Sequence, residues 1–458
     1  MQIVAATSGI QRSFAALRMK AFKSTGEEHI GTEVVGISRR RLRGETILLV
    51  LLLVLGVALR VAGFDPALPP SPDEWNLANE ARMVVALGGA GVPAIAEDIR
   101  MHPGLWYEPS PLRVGYLFPL AGMMQLIHDE NRLPGLVLSM ICSVGSLLLV
   151  ALLGWRFLSR EAALVALLFA AVSPLELTLA RRAWQDSFTE LLALALLMLC
   201  AEVVTRAVAS TRRQTILLVA IALLGAFSLT VKETSVAVFG FCLAWVLVVL
   251  VRRHDWRGIA VLLGASVVFS LAAAGLLGHL MGGVGAAVDF ERTWLRLSPL
   301  GVYSLEFETG PARTYLLALF WVSPVVLLTA LIGAAVLAVG RSRGLRAPVV
   351  AKILVVFTVV FFTLPVLAQH RLNLRYASVA YCTLTLVAGV GVSWLLGLLR
   401  GVLAPLGRVA MSCVLLFALG VAAYRDAAYF RSHFSWPKMW DLSVRMVLDV
   451  EAGNEPQR

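Results

Sequence analysis

Charge is scarce in this chain: only 15% of its 458 residues are charged, against roughly a quarter in a soluble domain. That shortage excludes an ordinary water-soluble fold. Cysteine is also scarce, and the five present (Cys142, Cys200, Cys242, Cys382 and Cys413) all lie in apolar runs. None forms a CxxC pair, so neither a disulfide framework nor a zinc ribbon is expected, and each reads as a small apolar packing residue. The first 44 residues are polar to basic and lack the early apolar core and small-residue cleavage site of a secretory signal. An inverted internal repeat, the mark of many transporters, is not visible.

Apolar residues make up 59% of the chain. They gather into runs of roughly 18 residues or more, long enough to cross the hydrocarbon core as helices. The fold class is therefore an all-α polytopic membrane protein with about 11 transmembrane helices. The spans fall near 45–64, 133–153, 161–178, 187–205, 214–231, 234–251, 258–281, 314–340, 349–368, 376–398 and 407–424. Residues 1–44 read as a cytoplasmic basic tail, 45–424 as the transmembrane domain, and 425–458 as a short outer C-terminal tail. Within the domain, residues 65–132 form a long outer loop with juxtamembrane helices. Val114–Ile127 is apolar but short and interrupted by Pro119. The basic pair Arg156 and Arg160 falls inside only if this segment does not cross. The net charge of +11 follows from cytoplasmic helix ends and points to membrane lipids, not to nucleic acid.

Several cations stand where that rule does not want them. Arg113, Arg132, Arg181, Arg182, Lys232, Arg371 and Arg375 are assigned to outer loops or turns. A cation at helix-centre depth costs on the order of 2.5–3.5 kcal/mol, and much less at the interface. One explanation is pairing with local acids such as Asp186 and Glu233. The other is a shared anionic ligand, favoured because separate outer loops each contribute a cation.

The most charged stretch follows the first span: Ser71-Pro72-Asp73-Glu74-Trp75-Asn76, continuing to Glu80 and Arg82. Ser71 at the N-cap, Pro72 at N1 and Glu74 at N3 make a capping box, and Asp73 complements the helix dipole. Asp73, Asn76 and Glu80 then share one face. Capping accounts for Glu74 and leaves Asp73 as the better catalytic candidate.

Pro72-Asp73-Glu74, with Ala78 and Ala81-Arg82-Met83, resembles the first outer-loop motif of the C-type glycosyltransferases. That superfamily includes the dolichyl-phosphate-mannose protein mannosyltransferases, the aminoarabinose transferases of lipid A and related bacterial lipopolysaccharide sugar transferases. Tyr107-Glu108-Pro109-Ser110-Pro111, Arg132-Leu133-Pro134, Pro174 through Arg181-Arg182 and Asp186, Gly225 through Lys232-Glu233, and Arg375-Tyr376 are similar to further family segments in order. The match in the loop before Asp186 is partial, because Ala180 or Arg181 stands where the family has Ser.

The resemblance implies a sugar transferase of the inner (plasma) membrane. Its donor is a polyprenyl-phosphate-linked sugar, and its acceptor is a lipid, a polysaccharide or a protein at the outer face. Asp73 is the expected base, supported by Glu74. Arg82, Arg181, Lys232 and Arg375 are the candidates for the donor phosphate. A divalent metal ion held by His102 and Glu108, with Asp186 in support, is set against ordinary loop polarity. The competing classes are a transporter or flippase of an anionic or polyprenyl-linked glycan, and a polysaccharide polymerase or ligase using the charged loop near 282–313.

Overall fold

Ser71 and Pro72 start a helix for a local reason. The Ser71 hydroxyl accepts from the Glu74 amide at 3.4 Å, and the Glu74 carboxylate accepts from the Ser71 amide at 2.7 Å. This is the capping box expected from the sequence. A computed structural model describes residues 28–62, 64, 70–102, 110–205, 211–297, 311–341, 344–367, 373–402, 405–434 and 447–448.

The helices are α1 (Glu28–Val61), α2 (Pro72–Leu87), α3 (Gly91–Met101), α4 (Val114–Ile127), α5 (Leu133–Phe157), α6 (Arg160–Val172) and α7 (Pro174–Ala180). They continue as α8 (Asp186–Thr205), α9 (Thr211–Leu229), α10 (Ser235–Arg252), α11 (Trp256–Leu280) and α12 (Val284–Leu297). The last are α13 (Ala312–Val322), α14 (Pro324–Ala338), α15 (Pro348–Leu367), α16 (Ser378–Val402) and α17 (Pro405–Tyr429). Met1–Leu51 and Leu52–Arg458 are separate compact units, and the packing below is that of the second.

Among the described residues, nine helices are long and apolar enough to span a membrane, and two bent pairs would bring the number to 11. The bends interrupt two segments that the sequence suggests are continuous. Between α6 and α7 the chain turns by 58°, and between α13 and α14 by 109°. Each break is a Ser-Pro step, at Ser173-Pro174 and Ser323-Pro324. Proline disfavours the helical conformation of the residue before it and then begins the next helix well. α4 is only 14 residues long, roughly 21 Å at helical rise and less than a bilayer core. α17 runs past the expected limit at 424, because Arg425 pairs with Asp426 (3.0 Å) and donates to the carbonyls of Trp321 and Val322.

α16 is the hub of the bundle, packed on α5, α6, α8, α14, α15 and α17. Its contact with α14 depends on glycine. A Cβ on Gly391 would lie 2.1 Å from the Thr329 carbonyl oxygen, and one on Gly333 2.2 Å from that of Val387. Small residues let helix backbones approach where lipid supplies no hydrophobic drive. Gly391→Ala should therefore cost about 1–3 kcal/mol by overpacking. A clear drop in the thermal unfolding midpoint in detergent is expected, and an unchanged midpoint would contradict this packing.

The helices between the first two long spans are anchored to the bundle. Leu77 and Ala81 of α2 pack on Tyr116, Leu117 and Leu120 of α4 and on Leu138 of α5. Val84 joins α3, α4 and α12 through Ile95, Val114 and Phe290. This seating directs the first turn of α2 at the loop between α7 and α8.

Candidate active site

Consecutive helical residues point about 100° apart, and Asp73 and Glu74 have opposite fates as a result. The Glu74 side chain is fully buried. One oxygen accepts from Arg132 (Nε 3.0 Å, Nη2 2.9 Å) and the Ala183 amide (2.7 Å); the other accepts from Arg182 (3.2 Å) and the Ser71 amide. Two guanidiniums and two backbone amides thus converge on one carboxylate. It ties α2 to the start of α5 and to the α7–α8 loop, and no open position remains on it for chemistry.

Asp73 turns the other way, with 32% of its side chain exposed. One oxygen receives Arg375 Nη1 at 2.6 Å. The other has no hydrogen-bond partner among the described residues. Arg375 also reaches Asp186 through Nη2 (3.2 Å) and Nε (3.3 Å), and Lys232 donates to the second Asp186 oxygen at 2.5 Å. Asp186, Lys232 and Arg375 therefore form a buried relay, with Asp73 at its open end. The Arg375 guanidinium lies 4.0 Å from the Trp184 ring centre, and the Trp184 indole donates to Ser71 at 3.0 Å. Lys232 also faces Tyr376 at 5.3 Å. The cap, the tryptophan and the arginine lock one another.

The surrounding charges are paired as well. Arg113 makes a two-pronged pair with Glu233, both bonds at 2.8 Å. Burial raises the Glu233 pKa, but the Arg113 charge and hydrogen bonds outweigh it and hold the carboxyl below its usual range. Burial lowers the Lys232 ammonium, only partly opposed by Asp186. A short turn carries this lysine to the site. It is held by the Gly115 amide donating to the Thr230 carbonyl at 2.9 Å, an approach that a side chain at 115 would block.

Of the residues singled out from sequence, Asp73, Asp186, Lys232 and Arg375 meet in one cluster, with Glu74 beside it. Arg181 lies apart from these contacts: it donates to the carbonyls of Leu59 and Ala62 and covers the Phe430 ring at 4.7 Å. Burial, reinforced by the Arg60 charge, brings its pKa to about 10. Arg82 bonds Asn79 at 2.6 Å and covers the exposed Trp75, nine residues from Asp73 and so on the opposite face of α2. His102 pairs with Asp98 at 3.1 Å on the surface, and Glu108 lies outside the described residues. Each Asp186 oxygen already sits on a cation. The one group of described side chains with metal-ligand spacing contains neither His102 nor Asp186. Sequence reasoning missed Trp184 and the role of Arg182. Their signal was a tryptophan between Arg181-Arg182 and Gln185-Asp186 in an otherwise apolar region.

No family model and no curated protein matches the sequence. Solved structures match the fold. The archaeal oligosaccharyltransferase AglB from Archaeoglobus fulgidus, in complex with an inhibitory peptide and a dolichol-phosphate, is 12% identical with a TM-score of 0.53. The match covers 91% of this chain and 57% of that one. The apo form of the Archaeoglobus fulgidus oligosaccharyltransferase gives 12% and 0.55, over 84% and 56%. ArnT from Cupriavidus metallidurans bound to undecaprenyl phosphate gives 14% and 0.53, over 88% and 77%. The chain thus spans little more than half the length of the oligosaccharyltransferase. It shares the all-α, polytopic fold of these structures.

Proposed function

We propose that this multi-pass membrane protein transfers a sugar from a polyprenyl-phosphate donor to a lipid, glycan or protein acceptor at the outer face of the inner (plasma) membrane. The observation that carries the reading is the half-open Asp73 carboxylate held against a buried Arg375–Asp186–Lys232 relay. The fold shared with two lipid-phosphate-binding structures supports it.

In the proposed step the acceptor hydroxyl oxygen attacks the anomeric carbon. The carbon–oxygen bond to phosphate breaks, and its electron pair leaves with the polyprenyl phosphate. The acceptor proton passes to the free oxygen of Asp73. Arg375 and Lys232 are positioned by Asp186 before any substrate arrives, and fixed charges of this kind stabilise a developing phosphate anion without reorganising. Arg181, which has no carboxylate partner among the described residues, adds positive charge on the same loop as Asp186. Glu74 supports by holding the first turn of α2. The acceptor approaches from the exposed side of Asp73.

The test is to incubate the purified protein with a small panel of polyprenyl-phosphate sugars and follow free polyprenyl phosphate. Release that depends on Asp73 is expected. Binding of such lipids with transport but no cleavage would instead identify a flippase.

Lys232 gives this reading a pH signature. Because burial lowers its pKa, the ammonium is lost as pH rises through that lowered value. Transfer should fall on the alkaline side below the ordinary lysine pKa of about 10.4. A guanidinium stays protonated throughout, so Lys232→Arg, if active, should show this limb displaced upward or absent in a profile of kcat against pH. An unmoved limb would remove Lys232 from the role.

A further inference from the structure

A second buried cluster lies deeper along the same helices. Glu190 follows Asp186 by one turn of α8, about 6 Å along its axis. Cys382 on α16 follows Arg375 by seven residues, roughly 10–12 Å. Glu176 comes from the short helix α7. All three side chains are buried, and a carboxylate oxygen from each glutamate and the Cys382 sulfur lie within 4.8 Å of one another. Both Glu190 oxygens and one of Glu176 receive no hydrogen bond from a donor outside the cluster. Arg60, also buried, adds its charge to the pocket, but its hydrogen bonds go to Ser143 and to the carbonyls of Gly56, Ala170 and Ala171.

Buried carboxylate oxygens without donors cost several kcal/mol unless something satisfies them. Two occupants could: a shared proton or a metal ion. A shared proton draws two carboxyl oxygens to about 2.5–2.7 Å and brings only two ligand atoms together, whereas three converge here. A tetrahedral zinc with ligands at about 2.0–2.3 Å sets its donor atoms about 3.3–3.8 Å apart, and ligand atoms within 4.8 Å of one another reach that if each moves inward by roughly 1 Å or less. Charge closes as well. Two carboxylates and a thiolate carry −3, a divalent ion +2, and Arg60 the remaining +1.

We propose that Glu176, Glu190 and Cys382 bind one divalent ion of the zinc class. The site is separate from the Asp73 cluster and does not rest on the proposed transferase activity. The mixed oxygen and sulfur donors favour a borderline metal over magnesium or calcium. The ion joins α7, α8 and α16, the elements that carry the 181–186 loop and follow Arg375. It thereby braces the relay from below.

Untagged protein is loaded with zinc, desalted and analysed for metal per chain. About one zinc per chain is expected. Glu190→Gln and Cys382→Ser should each lower retention by about 10-fold or more, while Asp73→Asn retains it. Cobalt in place of zinc should give a sulfur-to-metal charge-transfer band that Cys382→Ser abolishes. This second readout serves if Glu190→Gln does not fold. Wild-type protein that holds no zinc and shows no cobalt band overturns the proposal in favour of a shared proton. So does metal retained in full by both variants.

Discussion

Asp73→Asn should reduce transfer by about 10²–10⁴-fold, the range a positioned general base contributes, while the protein stays folded. The amide keeps the shape of the side chain and can still accept from Arg375, but it cannot take up the acceptor proton. Because 32% of the side chain is exposed, loss of its charge is screened by solvent, and the unfolding midpoint should scarcely move. Single-turnover release of polyprenyl phosphate, measured beside thermal unfolding, separates the two effects. Near-normal turnover in a folded Asp73→Asn protein would end the base assignment.

The neighbouring residue should behave in the reverse manner. Glu74→Ala leaves Arg132 and Arg182 buried without their shared carboxylate, and strips acceptors from the amides of Ala183 and Ser71. Breaking a buried ion pair from one side costs about 3–5 kcal/mol, enough to threaten a typical margin of about 5–15 kcal/mol. A large fall in the unfolding midpoint is expected, and activity is lost with the fold. Glu74→Gln should recover the shape but not the charge, and so only part of the stability. If Glu74→Ala were as stable as the wild type and merely inactive, the roles of these two acids would have to be exchanged.

The sequence was most legible where its signals are local. Apolar runs gave the bundle, and the Ser71-Pro72-Asp73-Glu74 cap was readable because its partners are three residues apart. Misplaced cations in outer turns flagged Lys232 and Arg375, and both are in the cluster. The same signal flagged Arg82 and Arg181, whose hydrogen bonds go to Asn79 and to backbone carbonyls. A charge in the wrong place is visible in a sequence, but its partner is not. The two bent helices were hidden for a related reason. A Ser-Pro step inside an apolar run leaves the hydropathy intact while it breaks the backbone.

By itself, then, the sequence determined that this is a polytopic helical membrane protein with a proline-capped acidic helix after its first span. Hydropathy and capping act within a few turns of chain. Only the tertiary structure decided that Glu74 is a buried keystone and Asp73 the open acid. Arg375 reaches Asp73 across 302 residues of chain and Asp186 across 189. It likewise decided that Glu176, Glu190 and Cys382 share one pocket. Those pairings depend on which helices become neighbours and which face each turns inward, and no local pattern in the chain encodes that.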